Sequence, residues 1–236
     1  MSKTATIEDY RLDNSPEGAV VADALSTSRV SMLSHTKVLE TSTGTLMLHS
    51  FCQPALVEGL RVESGLRTFS YSSEREYALL LDIARSPDCF LTLAYTPAGE
   101  IVAQVTLAPA EGWWEGIENL YEVAIEVSSH WRGRGLAHQL LAFALELVPL
   151  EEVILFAMGL HWYWDTENLR ISMRRYRALI ADLFATQGFQ EFDTAEPDIS
   201  MEPNNILLAR IGKHVDQRIT TQFLQRLQSS PYATRW

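Results

Sequence analysis

Apolar residues recur along this chain with two periods, and the switches between them mark out its elements. Thr45-Leu46-Met47-Leu48-His49-Ser50-Phe51 alternates as a strand does, and Pro54 to Val62 follows as a short helix or loop. Ser72-Ser73-Glu74-Arg75-Glu76 has the make-up of a helix start. Tyr77, Leu80, Leu81 and Ala84 come next at helical spacing, which predicts a helix over 73–86. Phe90 to Thr96 and Ile101 to Leu107 are strand-like runs joined by the turn Pro97-Ala98-Gly99-Glu100, a hairpin. Trp113 and Trp114 fall in a loop that Gly116 closes, and Leu120 to Val127, rich in Val, Ile and Tyr, reads as a central strand.

In the second half, Gly135 to Leu147 puts Leu136, Leu140, Ala144 and Leu147 on one helical stripe, and Val153 to Met158 is the next strand. Glu167 to Thr186 supports one long helix ended by Gly188, with a strand beginning over Phe189 to Phe192. Asn204-Asn205 precedes a last strand, Ile206 to Ile211. From Asp216 onward, Ile219, Phe223, Leu224 and Leu227 keep helical spacing until Pro231. Residues 1–44 are broken up by Pro16, Gly18 and many Ser and Thr, with room for a short helix over Val20 to Ser34. Hairpins first and strand–helix–strand units later predict an α/β (α+β) domain around a mixed sheet. The chain divides into a variable N-terminal appendage (1–44), a main domain (45–215) and a C-terminal helical tail (216–236) packed on the body or on a partner.

At 236 residues the chain has the size of one elaborated domain, and its 47% hydrophobic and 21% charged residues are ordinary globular material. The 19 basic and 30 acidic residues give a net charge of −11, which disfavours nucleic acid and anionic membranes and favours a cationic partner. Cys52 and Cys89 each lie in an apolar run and read as two buried thiols in a reducing compartment. No apolar segment has signal-peptide or membrane-span character, so the expectation is a soluble cytoplasmic protein. His130, His138, His161 and His214 form no metal-ligand spacing with a cysteine pair, and Asp165 near His161 does not complete one; no metal site is expected.

The chemistry concentrates between Leu120 and Leu141. A strand ends at Val127, a Ser-Ser-His turn follows, and Arg132-Gly133-Arg134-Gly135-Leu136-Ala137 opens an amphipathic helix. Glycines at a helix mouth let backbone approach a ligand, and the free N–H groups of the first turn attract an anion such as a pyrophosphate. The competing reading is a tight connection with no ligand. The segment is neither a P-loop nor a GxGxxG fingerprint, and Arg132 and Arg134 either contact phosphate or face solvent.

The strand, the turn and RGRGLA followed by HQLL resemble motif A of the GNAT superfamily of N-acetyltransferases, [QR]xxGx[GA], with Arg132, Gly135 and Ala137 at its fixed positions. The likeness covers about residues 45–192, is strongest over 120–145, and includes Gly188-Phe189 as the end of the last motif. It implies a mixed, splayed sheet flanked by helices. Acetyl-CoA is then the acyl donor, with backbone amides from Arg132 to Ala137, including Gly133, Arg134, Gly135 and Leu136, at its pyrophosphate. Val127 and its neighbours hold the pantetheine arm and acetyl carbonyl. HWYWD at His161 to Asp165, RRYRALI, GFQEFDTAEPDI and NNILLARIGKHV further resemble the AcuA-type acetoin-utilisation acetyltransferases over most of 45–215, with residues 1–40 outside the likeness. This implies a protein-lysine N-acetyltransferase that acetylates and inhibits AMP-forming acetyl-CoA synthetase by direct transfer in a ternary complex.

Amine acetylation needs a neutral amine and stabilisation of charge on the thioester oxygen. Strand alternation puts Glu122 and Glu126 on one face, opposite Val123 and Ile125. Either fits the acidic base that the superfamily carries on this strand, and the alternative is that both bind substrate or face solvent. The superfamily's usual tyrosine acid, four residues before the glycine of the closing pair, is here Phe184; Tyr163, with Tyr176 or water as alternatives, replaces it. Otherwise Trp162, Tyr163 and Trp164 form a packing wall or line the substrate groove. His138 is expected to face solvent, and the acidic run Asp193 to Asp198, with Glu196, either meets a lysine-bearing loop or is a solvated surface. The rival activities are a small-molecule amine N-acetyltransferase and a non-catalytic acyl-CoA-sensing module.

Overall fold

The computed structural model describes residues 34–70 and 72–229. Within them nine strands join in one sheet, ordered β1 (Thr36–Thr41), β2 (Gly44–His49), β4 (Phe90–Tyr95), β5 (Glu100–Pro109), β6 (Leu120–Val127), β7 (Ile154–Gly159), β9 (Ile206–Ile211) and β8 (Gln190–Glu191), with β3 (Arg61–Val62) beside β5. Neighbours are antiparallel except at β6·β7 and β3·β5. The helices are α1 (Pro54–Glu58), α2 (Ser73–Arg85), α3 (Leu136–Leu145), α4 (Thr166–Leu169), α5 (Met173–Ala185), α6 (Pro197–Ser200) and α7 (Gln217–Leu227).

Alternation along the strands divides the core by face. Tyr121, Val123, Leu155 and Ala157 point to α3 and α5, meeting Leu136, Leu140, Ala144, Leu183 and Phe184. On the other face Leu91, Leu93 and Ile101 meet α1 and α2, while Leu120, Phe156 and Leu207 meet α7. Each fully buried leucine stabilises the fold by about 1.5–3 kcal/mol relative to exposure. β1 lies in the stretch read as an appendage, yet it pairs with β2 from Thr36↔His49 to Thr41↔Gly44 and buries Leu39. The helix expected over Val20 to Ser34 lies outside the described residues, apart from Ser34.

Several expectations need correction. The long helix over 167–186 is two helices. Arg170 turns left-handed at φ 51° and ends α4, and Ser172 starts α5 by accepting the Arg175 N–H at 3.2 Å. Leu147 lies beyond the end of α3 and is 37% exposed, and Leu224 turns outward from the α7 stripe formed by Ile219, Phe223 and Leu227. Cys52 is buried, and burial pushes its thiol up to about 12, but Cys89 is only half-buried. Glu196 is not solvated: it is buried and caps α6 by accepting the Ile199 N–H at 2.9 Å.

The feature that positions a site is the parting of β6 and β7. They pair only from Leu120↔Ile154 to Glu122↔Phe156. β6 then stays with β5 as far as Val127↔Ala103, while β7 stays with β9 as far as Gly159↔Ile206. The sheet is split beyond Glu122.

Candidate active site

The hydrogen bonds Ala110 N–H to Leu120 O (3.0 Å) and Ser128 N–H to Val102 O (2.8 Å) set the phase of β6 against β5. Antiparallel alternation then directs the backbone groups of Val123, Ile125 and Val127 away from β5, into the split. A cleft of about 460 Å³ lies there. Its walls include Glu122, Glu126 and Tyr163 together with Val127, Arg132, Gly133, Gly135, Leu136 and Ala137. Arg134 is not among the lining residues. Its guanidinium returns to the His130 carbonyl at 2.6 Å and lies over the Trp131 ring. Arg132 is turned inward as well, with Nε on the Val127 carbonyl at 3.0 Å and Nη1 on Asp165. Both guanidinium groups thus already hold protein carbonyls, Arg132 that of Val127 and Arg134 that of His130. His138 is exposed and lines the cleft.

The turn before α3 suits an anion. Gly133 and Gly135 have φ of 76° and 72°, values that side-chain-bearing residues adopt at a cost of about 1–2 kcal/mol, and a Cβ at either would meet nothing within 4 Å. No side chain caps α3 and no acidic residue stands in its first turn, so its leading N–H groups face outward uncapped. This open, positive cradle fits the pyrophosphate of an acyl-CoA. Glu63 braces it from behind, accepting from Ser128 Oγ, from the Gly65 N–H at 3.0 Å and from Ser64 Oγ at 2.9 Å, and pairing with His130 Nδ1 at 2.8 Å. Partial burial pushes the Glu63 carboxyl up, but these hydrogen bonds together outweigh it and hold it at about 2. A Cβ at Gly65 would fall 2.5 Å from Ser128 Oγ and 2.6 Å from Ser129 Oγ, so any side chain there displaces the hydroxyl that Ser128 gives to Glu63.

The two acidic residues of β6 share a face, as alternation requires, but differ in surroundings. Glu126 is 4% exposed, and its Oε1 accepts the N–H groups of Arg67 (2.8 Å) and Thr68 (2.7 Å). Burial raises its pKa, while those N–H groups and Arg132 pull it back. Glu122 is half-buried, and burial, then the carboxylates of Glu111 and Glu196, push it up to about 7.

Tyr163 stands edge-on to Phe69, with ring centroids 5.3 Å apart. Tyr176 stacks on Trp164 at 5.2 Å and 10°, and burial raises its hydroxyl pKa. Phe184 is buried edge-on to Phe189. His161 is pinned through its N–H (2.6 Å) and Nδ1 (3.1 Å) to Oδ1 of buried Asn205, whose Nδ2 donates to the Asp198 carbonyl at 2.6 Å. Sequence reasoning missed Glu63, Gly65, Thr68 and Phe69. The only local signal was the Glu63-Ser64-Gly65 turn, which looks like any other.

The chain has relatives among known proteins. The model of the acetyltransferase (GNAT) family matches residues 57–166. The chain is 32% identical over 194 residues to the acetoin utilization protein AcuA of Bacillus subtilis and 31% identical to that of Bacillus licheniformis; each match takes in 80% of this chain and 91% of the relative. Its fold is similar to the crystal structure of an acetoin utilization protein from Exiguobacterium sibiricum, with a TM-score of 0.77 and 27% identity over 83% of this chain and 94% of that one. An open, largely antiparallel sheet split beside a glycine-opened helix, in a sequence this similar to AcuA, means that the chain belongs to the GNAT family of N-acetyltransferases.

Proposed function

We propose that this protein transfers the acetyl group of acetyl-CoA directly to a lysine side chain of a protein, AMP-forming acetyl-CoA synthetase, in the cytoplasm. The observation that carries the reading is the cleft, which joins the glycine turn at the α3 mouth to the carboxyl of Glu122 on its wall, where burial and the Glu111 and Glu196 carboxylates push the pKa up to about 7. A base titrating near the working pH is the one best matched to removing an ammonium proton.

In this reading the N–H groups of Gly133 to Ala137 hold the pyrophosphate, and the exposed backbone edge of β6 at Ile125 and Val127 holds the pantetheine arm and orients the acetyl carbonyl. The lysine ammonium gives one proton to Glu122, and its neutral nitrogen bonds to the thioester carbon. The carbon–sulfur bond breaks, the sulfur leaves with the bonding pair and takes a proton from Tyr163, and the second proton shed by nitrogen restores that tyrosine. Glu111 and Glu196 add negative charge near Glu122, which draws in a cationic side chain. Glu126, with one oxygen committed to Arg67 and Thr68, anchors the loop that carries Phe69.

A protein acceptor is favoured by Leu169 and Leu179. Both line the cleft yet are 39% and 41% exposed, and Trp162 nearby in sequence is 41% exposed, which supplies apolar surface beyond what a small amine needs. The affinity for acetyl-CoA synthetase rests on the AcuA resemblance.

The test is intact mass spectrometry of purified acetyl-CoA synthetase after incubation with this protein and acetyl-CoA, with Glu122→Gln as control. Gain of acetyl groups only with the unsubstituted protein supports the reading. Acetylation of free amines with none on the synthetase replaces it with a small-molecule acetyltransferase.

A further inference from the structure

Glu76 sits in the first turn of α2, on the opposite face of the sheet from α3, and is 0% exposed. A carboxyl so deeply buried needs partners for both oxygens. Oε2 has one, the Ser70 hydroxyl at 2.8 Å. The same hydroxyl lies 2.9 Å from the Ser72 carbonyl, which also takes the Glu76 N–H at 2.9 Å, so one serine proton serves both that carbonyl and Glu76. Oε1 of Glu76 is buried without a partner, and so is Oε2 of Glu126.

Both carboxyls sit on one short stretch of loop, Glu126 taking the Thr68 N–H at 2.7 Å and Glu76 the Ser70 hydroxyl at 2.8 Å. Two ionised carboxylates there only accept, whereas one proton shared between the orphaned oxygens satisfies both. We propose that Glu76 is a neutral carboxylic acid whose Oε1 proton is donated to Glu126 Oε2, which makes it a positioning residue for the cleft. Glu126 then has both oxygens engaged, one by Glu76 and one by the Arg67 and Thr68 N–H groups, and the loop bearing Thr68 and Phe69 is held against the site.

The charges around the pair place the proton on Glu76 rather than on Glu126. Glu126 faces the N–H and hydroxyl of Thr68, the Arg67 N–H, the Arg132 guanidinium and the hydroxyl of Tyr176 on α5; the positive guanidinium and the Thr68 and Arg67 donors stabilise a carboxylate there. Glu76 has the Ser70 hydroxyl on Oε2, and burial followed by the Glu126 charge pushes it up to about 7.

The consequence for catalysis rests on the acetyl-transfer reading above, but the protonation does not, and the experiment separates them. Glutamate side-chain carboxyl ¹³C shifts of the full chain are followed with pH, with Glu76→Gln and Glu126→Gln assigning the two resonances. The expected result is a Glu76 signal that stays neutral well above the ordinary glutamate value of about 4.3, while Glu126 is ionised at the same pH. A Glu76 that ionises at the ordinary value, or a neutral Glu126 beside an ionised Glu76, overturns the proposal whatever the protein acetylates.

In the acetylation assay Glu76→Gln, whose amide can donate to Glu126 and accept from Ser70, keeps the unsubstituted kcat and KM. Glu76→Ala lowers kcat by about tenfold to a hundredfold through lost alignment. A glutamine variant as impaired as the alanine variant, or a folded alanine variant with full kcat, removes the positioning role.

Discussion

Arg132 and Asp165 form an ion pair across the split between β6 and β7, with side chains only 17% and 18% exposed. Asp165 stands where a residue would normally cap α4, but its carboxylate is taken by Arg132 and, at 2.6 Å, by Asn168 Nδ2. Arg132 also holds the Val127 carbonyl through Nε. One guanidinium therefore ties the end of β6 to the segment that follows β7, and its planar fork is what allows two partners at once.

Asp165→Ala should leave that guanidinium partly buried without its carboxylate and cost about 1–3 kcal/mol of stability. Arg132→Lys should not be conservative, because one ammonium cannot serve both Val127 and Asp165. Urea unfolding and acetyl-CoA titration calorimetry on both variants check this. A lysine variant with unchanged stability and affinity would show that the two-partner geometry is unimportant.

As the proposed base, Glu122 predicts a pH dependence. Its carboxyl is raised from 4.5 to about 7, so the ionised base accumulates only as pH rises through about 7. The value of kcat/KM should climb through that range, and Glu122→Gln should lower it by about 10²–10⁴ and flatten the climb. The same shift means that folding favours the protonated form, so the contribution of Glu122 to stability falls as pH rises from 4.5 through about 7. If Glu122→Gln keeps the full pH–rate profile, the base is another group.

At the mouth of α3, Gly135 combines a positive φ of 72° with open space where a Cβ would go. Gly135→Ala should cost about 1–2 kcal/mol in backbone strain and weaken acetyl-CoA binding modestly, since the methyl intrudes on the cradle without adding charge. Gly135→Glu adds a carboxylate at the positive end of the helix and should abolish binding. Equal affinities of a folded Gly135→Glu variant and the unsubstituted protein for acetyl-CoA, measured by calorimetry, would move the pyrophosphate elsewhere.

What could be read from sequence was what local pattern determines. β6 over Leu120–Val127 and β9 over Ile206–Ile211 begin and end where the apolar runs do. Alternation alone put Glu122 and Glu126 on one face. The break between α4 and α5 was hidden because Arg170, with no glycine or proline to mark it, adopts φ 51°. Glu126 shows the larger limit: its partners Arg67 and Thr68 are 59 and 58 positions away, so nothing near residue 126 reveals that one oxygen is already committed. Glu76 stands in a helix-capping signature that holds, with Ser72 accepting the Arg75 N–H at 3.2 Å, but nothing local showed that its own carboxyl is fully buried.

Glu63 gives the molecule an acid-sensitive brace behind the turn that opens α3. Its carboxyl is held at about 2 against an ordinary 4.5, so the folded protein binds this proton less readily than the unfolded chain. The resulting stabilisation is fully present above about 4.5 and is lost as pH falls through about 2. Glu63→Gln should therefore be less stable than the unsubstituted protein at neutral pH, with the gap closing as pH is lowered across that window. Ser128→Ala, which removes one of the hydrogen bonds to Glu63, should raise its pKa and move the acid-unfolding midpoint to higher pH. Because Ser128 and His130 lead directly into the Arg132 to Ala137 turn, both variants should also bind acetyl-CoA more weakly at neutral pH. Acid unfolding followed by circular dichroism, paired with calorimetry at pH 7, reads both effects. Acid curves that superimpose for all three proteins would mean that Glu63 is not ionised against the cradle and that the turn is held by other contacts.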